Sequence, residues 1–206
     1  FCLILFLIFL NKIKPIHKFI IFSFIISTIV LLISFSDYLK GRALHSSFYL
    51  IKTYAHTFQN PTGLPGGNPY AELHRSGYEV FKKYPFFGIG NKNYRYESCT
   101  IGMNKYYYCT THPHQIYFEF LSEHGLIGTL ILLSLFFFIM FKMLLEIVNS
   151  KNQIQLCCFI YVLINFTPLL PSGSFFTDFN ATLFWLNFSL MFACNEKTNI
   201  FRKNLK

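Results

Sequence analysis

Two histidines lie just before a long apolar run, and both could take part in proton transfer. His112 and His114 flank Pro113 within "THPHQIYFEFLSEHGLIGT", residues 111–129. Imidazole changes its protonation state near neutral pH and is the side chain used most often as a general base. Thr111 or His112 can cap a helix, and proline suits a first turn. We expect His114 in that turn, where the positive helix end disfavours imidazolium, leaves a neutral base and attracts phosphate.

Two pairs of residues follow at helical spacing. Glu119 and Glu123 are one turn apart and could orient a histidine, although glutamate near a helix start is favourable by itself. Gly125 and Gly128 are also one turn apart, and together they would form a smooth surface that another helix or a lipid chain can approach closely. We interpret these four residues, together with His112, as supporting residues rather than catalysts.

The composition indicates a membrane protein. The chain has 206 residues, of which 53% are hydrophobic and 13% are charged, whereas a soluble domain carries about 25% charged residues. The net charge of +9 comes from basic residues dispersed beside apolar segments. This pattern favours a membrane surface or an anionic ligand over nucleic acid. The chain begins at Phe1 inside an apolar run, so we interpret it as a fragment that lacks N-terminal helices.

Several apolar stretches approach the length needed to cross a bilayer. A helix needs about 20 apolar residues to cross a hydrocarbon core of ~30 Å. Four stretches qualify or nearly do, and a fifth is cut short by the start of the chain: 18–36, 120–141, 155–171, 179–194 and 1–10.

The short connections between these stretches predict the topology. Residues 11–18 carry three lysines, residues 142–153 carry two, and residues 196–206 carry four basic side chains. The positive-inside rule places all three in the cytoplasm, and the intervening crossings are consistent with it. We therefore predict an all-α, multi-span membrane protein with four regions: transmembrane helices in 1–36 with the first truncated, an external loop at 37–118, three transmembrane helices in 119–195 and a cytoplasmic tail at 196–206.

The external loop combines an amphipathic segment with an excess of positive charge. In residues 71–84, apolar side chains such as Leu73 and Tyr78 recur at helical spacing, and His74 and Arg75 fall on the other face. We expect a helix near the membrane surface. The loop carries nine basic residues against four acidic ones. This balance suggests that it meets an anion.

Two cysteines lie in this loop just before the histidines. Cys99 and Cys109 bracket nine residues, and an oxidising compartment would allow them to form a disulfide. The competing interpretation is a zinc site that adds His112 and His114, but the spacing fits none of the usual structural zinc patterns. We therefore expect the disulfide and no metal.

The arrangement resembles a known family. His114-Gln115, nine further residues and then Gly125-Leu126-Ile127-Gly128 is similar to the signature of bacterial O-antigen ligases and the related O-antigen polymerases. "FKKYPFFGIGNKNYR" (81–95) resembles the Pro-hydrophobic-Gly-x-Gly stretch of their external loop. "PLLPSGSFFTDFNATLFW" (168–185) resembles their closing segment. The resemblance covers roughly residues 38–190.

The resemblance implies an activity and a site. The family transfers a glycan from an undecaprenyl-diphosphate carrier to an acceptor hydroxyl, either the lipid A core or another glycan, without a cofactor or an essential metal. It implies a helical, multi-span glycosyltransferase-type bundle in the bacterial inner membrane, with residues 37–118 in the periplasm. His114 matches the family's histidine and would deprotonate the acceptor hydroxyl. Family arginines grip the diphosphate, and the candidates here are Arg42, Arg75 and Arg95, since a guanidinium pairs well with phosphate oxygens.

Three function classes remain at this stage: a membrane glycosyltransferase, a non-enzymatic transporter and a membrane-anchored binding module, the last of which would not need His114 at a helix start beside arginines. Ligation to lipid A core and polymerisation of lipid-linked repeats share the signature, and the acceptor distinguishes them. A non-enzymatic transporter of lipid-linked sugars would place charged or helix-breaking residues at mid-membrane, which these spans nearly lack. The missing N-terminal helices would help to build the carrier-lipid groove, so we do not expect this fragment to be a complete enzyme.

Overall fold

The computed structural model of the chain describes residues 14–40, 46–60, 68–100, 108–168 and 172–199. These ranges contain helices and no strand. The helices, in chain order, are α1 Pro15–Phe35, α2 Asp37–Lys40, α3 Ser46–Gln59, α4 Pro69–Lys83, α5 Tyr94–Thr100, α6 Ile116–Ser150, α7 Gln153–Ile164 and α8 Asp178–Ala193.

Two of these helices are long and apolar enough to cross a membrane. They are α1, with 21 residues, and α6, with 35 residues. Helices α7 and α8 have 12 and 16 residues, which at 1.5 Å per residue is about 18 and 24 Å, short of a ~30 Å core. The span expected at 155–171 is helical only as far as Ile164, whereas the span expected at 179–194 matches α8 within one residue at each end. The stretch 1–10 lies outside the described residues, and the multi-span topology stays a prediction.

Helix α6 is broken at Gly125. This residue has φ 65° and ψ −170°, so two helical parts, 116–124 and 126–150, meet at a kink. A backbone in this region is accessible essentially only to glycine. The kink leaves backbone groups on both sides without partners in the helix, and buried backbone groups need partners.

Residues 85–90, which we call the docking loop, supply those partners. Four backbone hydrogen bonds join the docking loop to the kink: Ile89 N–H to the Ser122 carbonyl (3.1 Å), Gly90 N–H to the Glu123 carbonyl (2.8 Å), Leu126 N–H to the Pro85 carbonyl (2.8 Å) and Ile127 N–H to the Phe86 carbonyl (3.2 Å). The contact is close enough that a Cβ on Gly88 would lie 2.4 Å from the Glu123 backbone. The broken helix and the loop therefore complete each other.

Helices α6, α7 and α8 share an aromatic core. The rings of Phe136 and Phe166 stack with centroids 3.8 Å apart, and Phe184 lies 6.0 Å from Phe166. At the other end of these helices, buried Gln155 donates to the Met191 carbonyl at 2.9 Å and accepts from Asn195 at 3.1 Å. Apolar packing and a satisfied polar cluster thus hold the three helices together.

Helix α4 packs against the segment that carries the histidines. A Cβ on Gly77 would lie 2.8 Å from Pro113 and 3.0 Å from Phe118. The amphipathic helix expected at 71–84 is present as α4, but the assignment of its faces was partly wrong. His74 is completely buried, and Leu73 is buried as well, because α4 is packed on the face that meets residues 113–118 as well as on the side of Leu73.

Candidate functional site

His114 lies just before helix α6 rather than in its first turn. The helix begins at Ile116, and the Gln115 side chain caps it by accepting hydrogen bonds from the backbone N–H groups of Tyr117 (2.9 Å) and Phe118 (3.1 Å). His114 has φ 56°, a left-handed conformation that is uncommon for residues other than glycine. The expected cap at Thr111 or His112 was therefore wrong, because Gln115 supplies the oxygen that the free N–H groups need.

The rings of the two histidines lie against each other. Their centroids are 4.0 Å apart, and Nδ1 of His112 lies 2.9 Å from the Thr111 hydroxyl oxygen. Burial, and to a smaller extent the charge of the nearby His114, lowers the pKa of His112 to about 4. Burial also lowers the pKa of His114, whose side chain remains partly exposed. Both imidazoles are therefore neutral at pH 7, and the cause is burial rather than the helix end.

Ser172, which follows α7 in the sequence, contacts the segment that carries the histidine pair. The Ser172 N–H donates to the His114 carbonyl at 2.9 Å. The backbone of Ser172 also acts on the pKa of His112, which it raises against the effect of burial. A residue far along the chain thus fixes the backbone that carries His114.

A third histidine, which sequence analysis placed on an exposed face, lies beneath this segment. His74 of α4 stacks on Phe118 with centroids 5.3 Å apart, and its Nδ1 lies 2.7 Å from the Tyr54 hydroxyl oxygen. Burial lowers its pKa to about 4, while the adjacent His114 carbonyl acts in the opposite direction. His74 therefore supports the histidine segment from below as a neutral side chain.

Glu119 and Glu123 hold two connecting segments. The Glu119 carboxylate accepts hydrogen bonds from the Ser174 hydroxyl and from the Phe175 N–H, the latter at 3.0 Å. The Glu123 carboxylate interacts with the backbone N–H groups of Lys92 and Tyr94. The contacts described for these carboxylates therefore go to backbone and serine groups rather than to a histidine ring.

The glycines of the signature act differently from the expected smooth helix face. Gly125 forms the kink, and a Cβ there would lie 2.3 Å from the Phe86 carbonyl oxygen. Gly128 lies one turn later, where a Cβ would come within 2.8 Å of the His124 Cβ. The close approach at Gly125 is thus made by the docking loop rather than by a helix or a lipid chain.

The candidate arginines have different surroundings. Arg75 forms an ion pair with Glu79, donates to the Phe58 carbonyl at 3.1 Å and lies over the Phe58 ring at 5.4 Å. Arg95 on α5 is exposed. Arg42 lies outside the described residues. Arg75 is thus held by its neighbours within the protein, and Arg95 is the described arginine whose guanidinium faces solvent.

The structure joins Cys99 and Cys109 in a disulfide, the pairing that the sequence analysis expected. It lies between α5 and the histidine segment, where Ser98 also donates to the Thr110 carbonyl at 3.2 Å. Because both sulfur atoms are in the disulfide, they cannot serve as the thiolate ligands of the competing zinc interpretation.

The sequence was compared with known families, curated proteins and solved structures. A family model described as O-antigen ligase matches residues 1–133. The chain belongs to the O-antigen ligase family. No curated protein and no solved structure matches it. The family match includes the docking loop, the histidine pair and the kink, and it ends before the closing segment at 168–185 that sequence analysis had included in the resemblance.

An O-antigen ligase-type membrane function follows from membership of the family, and the two long apolar helices are consistent with membrane association. The docking loop and the glycines of the signature are two of the features that carried the resemblance, and in the fold they bind each other. Helix α4 packs against Pro113, between the two histidines.

Proposed function

We propose that this chain transfers a glycan from an undecaprenyl-diphosphate carrier to an acceptor hydroxyl, with His114 as the general base. The family match supports the reaction type. The observation that supports the base most directly is the environment of His114, which burial keeps neutral while the side chain remains partly exposed. A neutral imidazole can accept the proton of an attacking hydroxyl, and such proton transfer contributes typically 10²–10⁴-fold to a rate.

The diphosphate leaving group needs charge neutralisation more than protonation. Arg95 on α5 has a solvent-facing guanidinium, and a guanidinium binds phosphate oxygens in pairs. Arg75 is committed to Glu79 and to the aromatic rings of Phe58 and Tyr78. We therefore propose Arg95 as a diphosphate ligand and Arg75 as a packing residue, with Arg42 as the further candidate that the sequence offers.

The same proposal includes the topology. Residues 37–118 would lie in the periplasm, with transmembrane helices in 1–36 and 119–195 and a cytoplasmic tail at 196–206. The Cys99–Cys109 disulfide is consistent with this placement, since disulfides persist in the bacterial periplasm and are rare in the cytoplasm. The binding partners of the protein would be the lipid-linked glycan, the lipid A core or another glycan acceptor, and the lipids of the inner membrane.

The test is complementation of a bacterial strain that lacks its own O-antigen ligase. The protein is expressed from its complete gene as wild type, His114→Ala or His56→Ala, and lipopolysaccharide ladders are compared on a gel at equal membrane abundance. His56 is an exposed histidine on α3, which makes it a matched control. We expect ladders from wild type and His56→Ala, and none from His114→Ala.

Two results would contradict the proposal. Ladders of normal intensity from His114→Ala would remove His114 from the reaction. The absence of ladders from wild type would argue against ligation to lipid A core. Polymerised lipid-linked repeats in the same extract would then identify the alternative, O-antigen polymerisation.

A further inference from the structure

A polar cavity lies beside Ser172, which contacts the segment that carries the histidine pair. It has a volume of about 200 Å³. It is lined by the end of α7, by residues within 165–167 and 172–175, and by the start of α8. Its polar side chains are Asn165, Thr167, Ser172 and Asn180. None of the described functions uses this cavity.

The cavity presents hydrogen-bond acceptors that have no partner in the described residues. The side-chain nitrogen of Asn165 donates to the Tyr161 carbonyl at 2.8 Å, and that of Asn180 donates to the Ser174 carbonyl at 3.0 Å. Each amide therefore uses one of its two N–H donors within the protein and leaves its oxygen for a ligand. The exposed Thr167 hydroxyl adds a group that can donate or accept.

The chemistry of the lining favours a neutral, hydroxyl-rich ligand. None of the described residues that line the cavity is charged, so a diphosphate would find no cation among them, and an anion would meet amide oxygens. Ile116, Ile164 and Phe175 supply an apolar wall. The volume is below the ~300 Å³ at which drug-sized pockets begin. These properties fit one sugar ring, which has hydroxyl donors on its edge and apolar C–H faces.

Two residues connect the cavity to the segment of the proposed base. Ser172 lines the cavity, and its N–H donates to the His114 carbonyl at 2.9 Å. Ile116, the first residue of α6 and two residues after His114, lines the cavity as well. A ring held here would therefore lie beside the backbone of the histidine pair.

We propose that this cavity is a subsite for a neutral sugar ring of one of the two glycan substrates, bound through the amide oxygens of Asn165 and Asn180 and the hydroxyl of Thr167. This subsite rests on the proposed glycan transfer and extends it. The ring could belong to the acceptor or to the lipid-linked donor, and the chemistry of recognition is the same for both. Kinetics with each substrate varied in turn distinguishes the two sources.

The experiment uses the complete protein in detergent, undecaprenyl-diphosphate-linked O-antigen as donor and lipopolysaccharide from a ligase-deficient strain as acceptor. The variants are Thr167→Val, which removes a hydroxyl at nearly constant shape, and Asn165→Leu. The matched control is Asn187→Leu on α8, because Asn187 also donates to the carbonyl four residues earlier, at 2.9 Å, but does not line the cavity.

We expect the KM for one substrate to rise about fivefold for each hydrogen bond removed, with kcat unchanged, because uniform binding is lost. A rise confined to the acceptor places an acceptor ring in the cavity, and a rise confined to the donor places a donor ring there. If neither KM exceeds that of Asn187→Leu while wild type is active, the subsite is wrong and the proposed function survives. If wild type transfers no glycan, both proposals fail. Should Asn165→Leu not fold, Thr167→Val alone decides between these outcomes.

Discussion

Gly88 of the docking loop and Gly125 of the α6 kink meet backbone to backbone. A Cβ on Gly88 would lie 2.6 Å from the Gly125 nitrogen, and a Cβ on Gly125 would lie 2.5 Å from the Phe87 nitrogen. Both glycines have positive φ, 68° and 65°. Two stretches that are separate in sequence are thereby joined into one structural unit.

Alanine at either glycine should break this unit. Gly90→Ala is the matched control, because Gly90 also has positive φ (89°) but a Cβ there meets only the Asn93 side chain, at 3.0 Å. We expect Gly90→Ala to lower the free energy of unfolding by about 1–2 kcal/mol through backbone strain. Gly88→Ala and Gly125→Ala should lose clearly more, since a rigid backbone blocks the added atom. Thermal unfolding of the purified variants measures the difference, and equal losses at all three positions would contradict the docking.

The disulfide should stabilise the external region. Replacing Cys99 and Cys109 together by serine should lower the free energy of unfolding by about 2–3 kcal/mol, because the unfolded chain regains the entropy of a short loop. Cys157→Ser, which changes an exposed free cysteine, serves as the control. A reducing agent should reproduce the loss in wild type and have no effect on the double variant. A double variant as stable as wild type would show that the disulfide contributes nothing.

Burial of His74 predicts a dependence of stability on pH. Its pKa is lowered from 6.5 to about 4 in the folded chain, so between these values the unfolded chain binds more protons than the folded one. The stabilisation is therefore complete above pH 6.5 and is lost as the pH falls towards 4, on the order of 2 kcal/mol. His74→Phe should flatten this part of the pH profile, with His56→Phe as control. An unchanged slope in His74→Phe would assign the dependence to His112, whose pKa is also about 4.

Substitutions of the two described arginines should have different effects, one on stability and the other on glycan transfer. Arg75→Ala removes a partly buried ion pair and a ring contact, with side chains of Arg75 and Glu79 only 16% and 14% exposed. We expect it to cost about 1–2 kcal/mol of unfolding free energy. Arg95→Ala should leave stability within about 0.5 kcal/mol and raise the KM for the lipid-linked donor. Arg95→Lys should recover part of that loss. A normal donor KM in Arg95→Ala would exclude Arg95 as a diphosphate ligand.

The sequence predicted the helical elements because apolar periodicity and composition are local signals. It predicted α4 and the long α6, and the positions of Cys99 and Cys109 suggested the disulfide. It did not predict the kink, because the conformation of Gly125 depends on contacts with the docking loop, which precedes α5 in the sequence. The same limit applies to the end of α7, which stops at Ile164 although the apolar run continues.

The candidate site was predictable in its central residue and not in its surroundings. The signature pointed to His114 and His112, and the structure places their rings side by side. His74 was misplaced because helical spacing does not reveal that the polar side of α4 is packed too, here through the contact of His74 with Phe118. No sequence pattern identified Gln115 as the helix cap or Ser172 as the hydrogen-bond donor to the His114 carbonyl. A cap and a backbone hydrogen bond become visible only when distant segments are brought together.

The central claim is that neutral His114 accepts the proton of the acceptor hydroxyl. The measurement that tests it most directly is kcat/KM for glycan transfer against pH, for wild type and His114→Ala. Because burial lowers the pKa of His114 from its ordinary value of 6.5, wild-type activity should be constant around pH 7 and should fall with acid through a pKa below 6.5. His114→Ala should be slower by about 10²–10⁴-fold and should lack that step. An acid limb that persists unchanged in His114→Ala, at a rate near wild type, would contradict the claim.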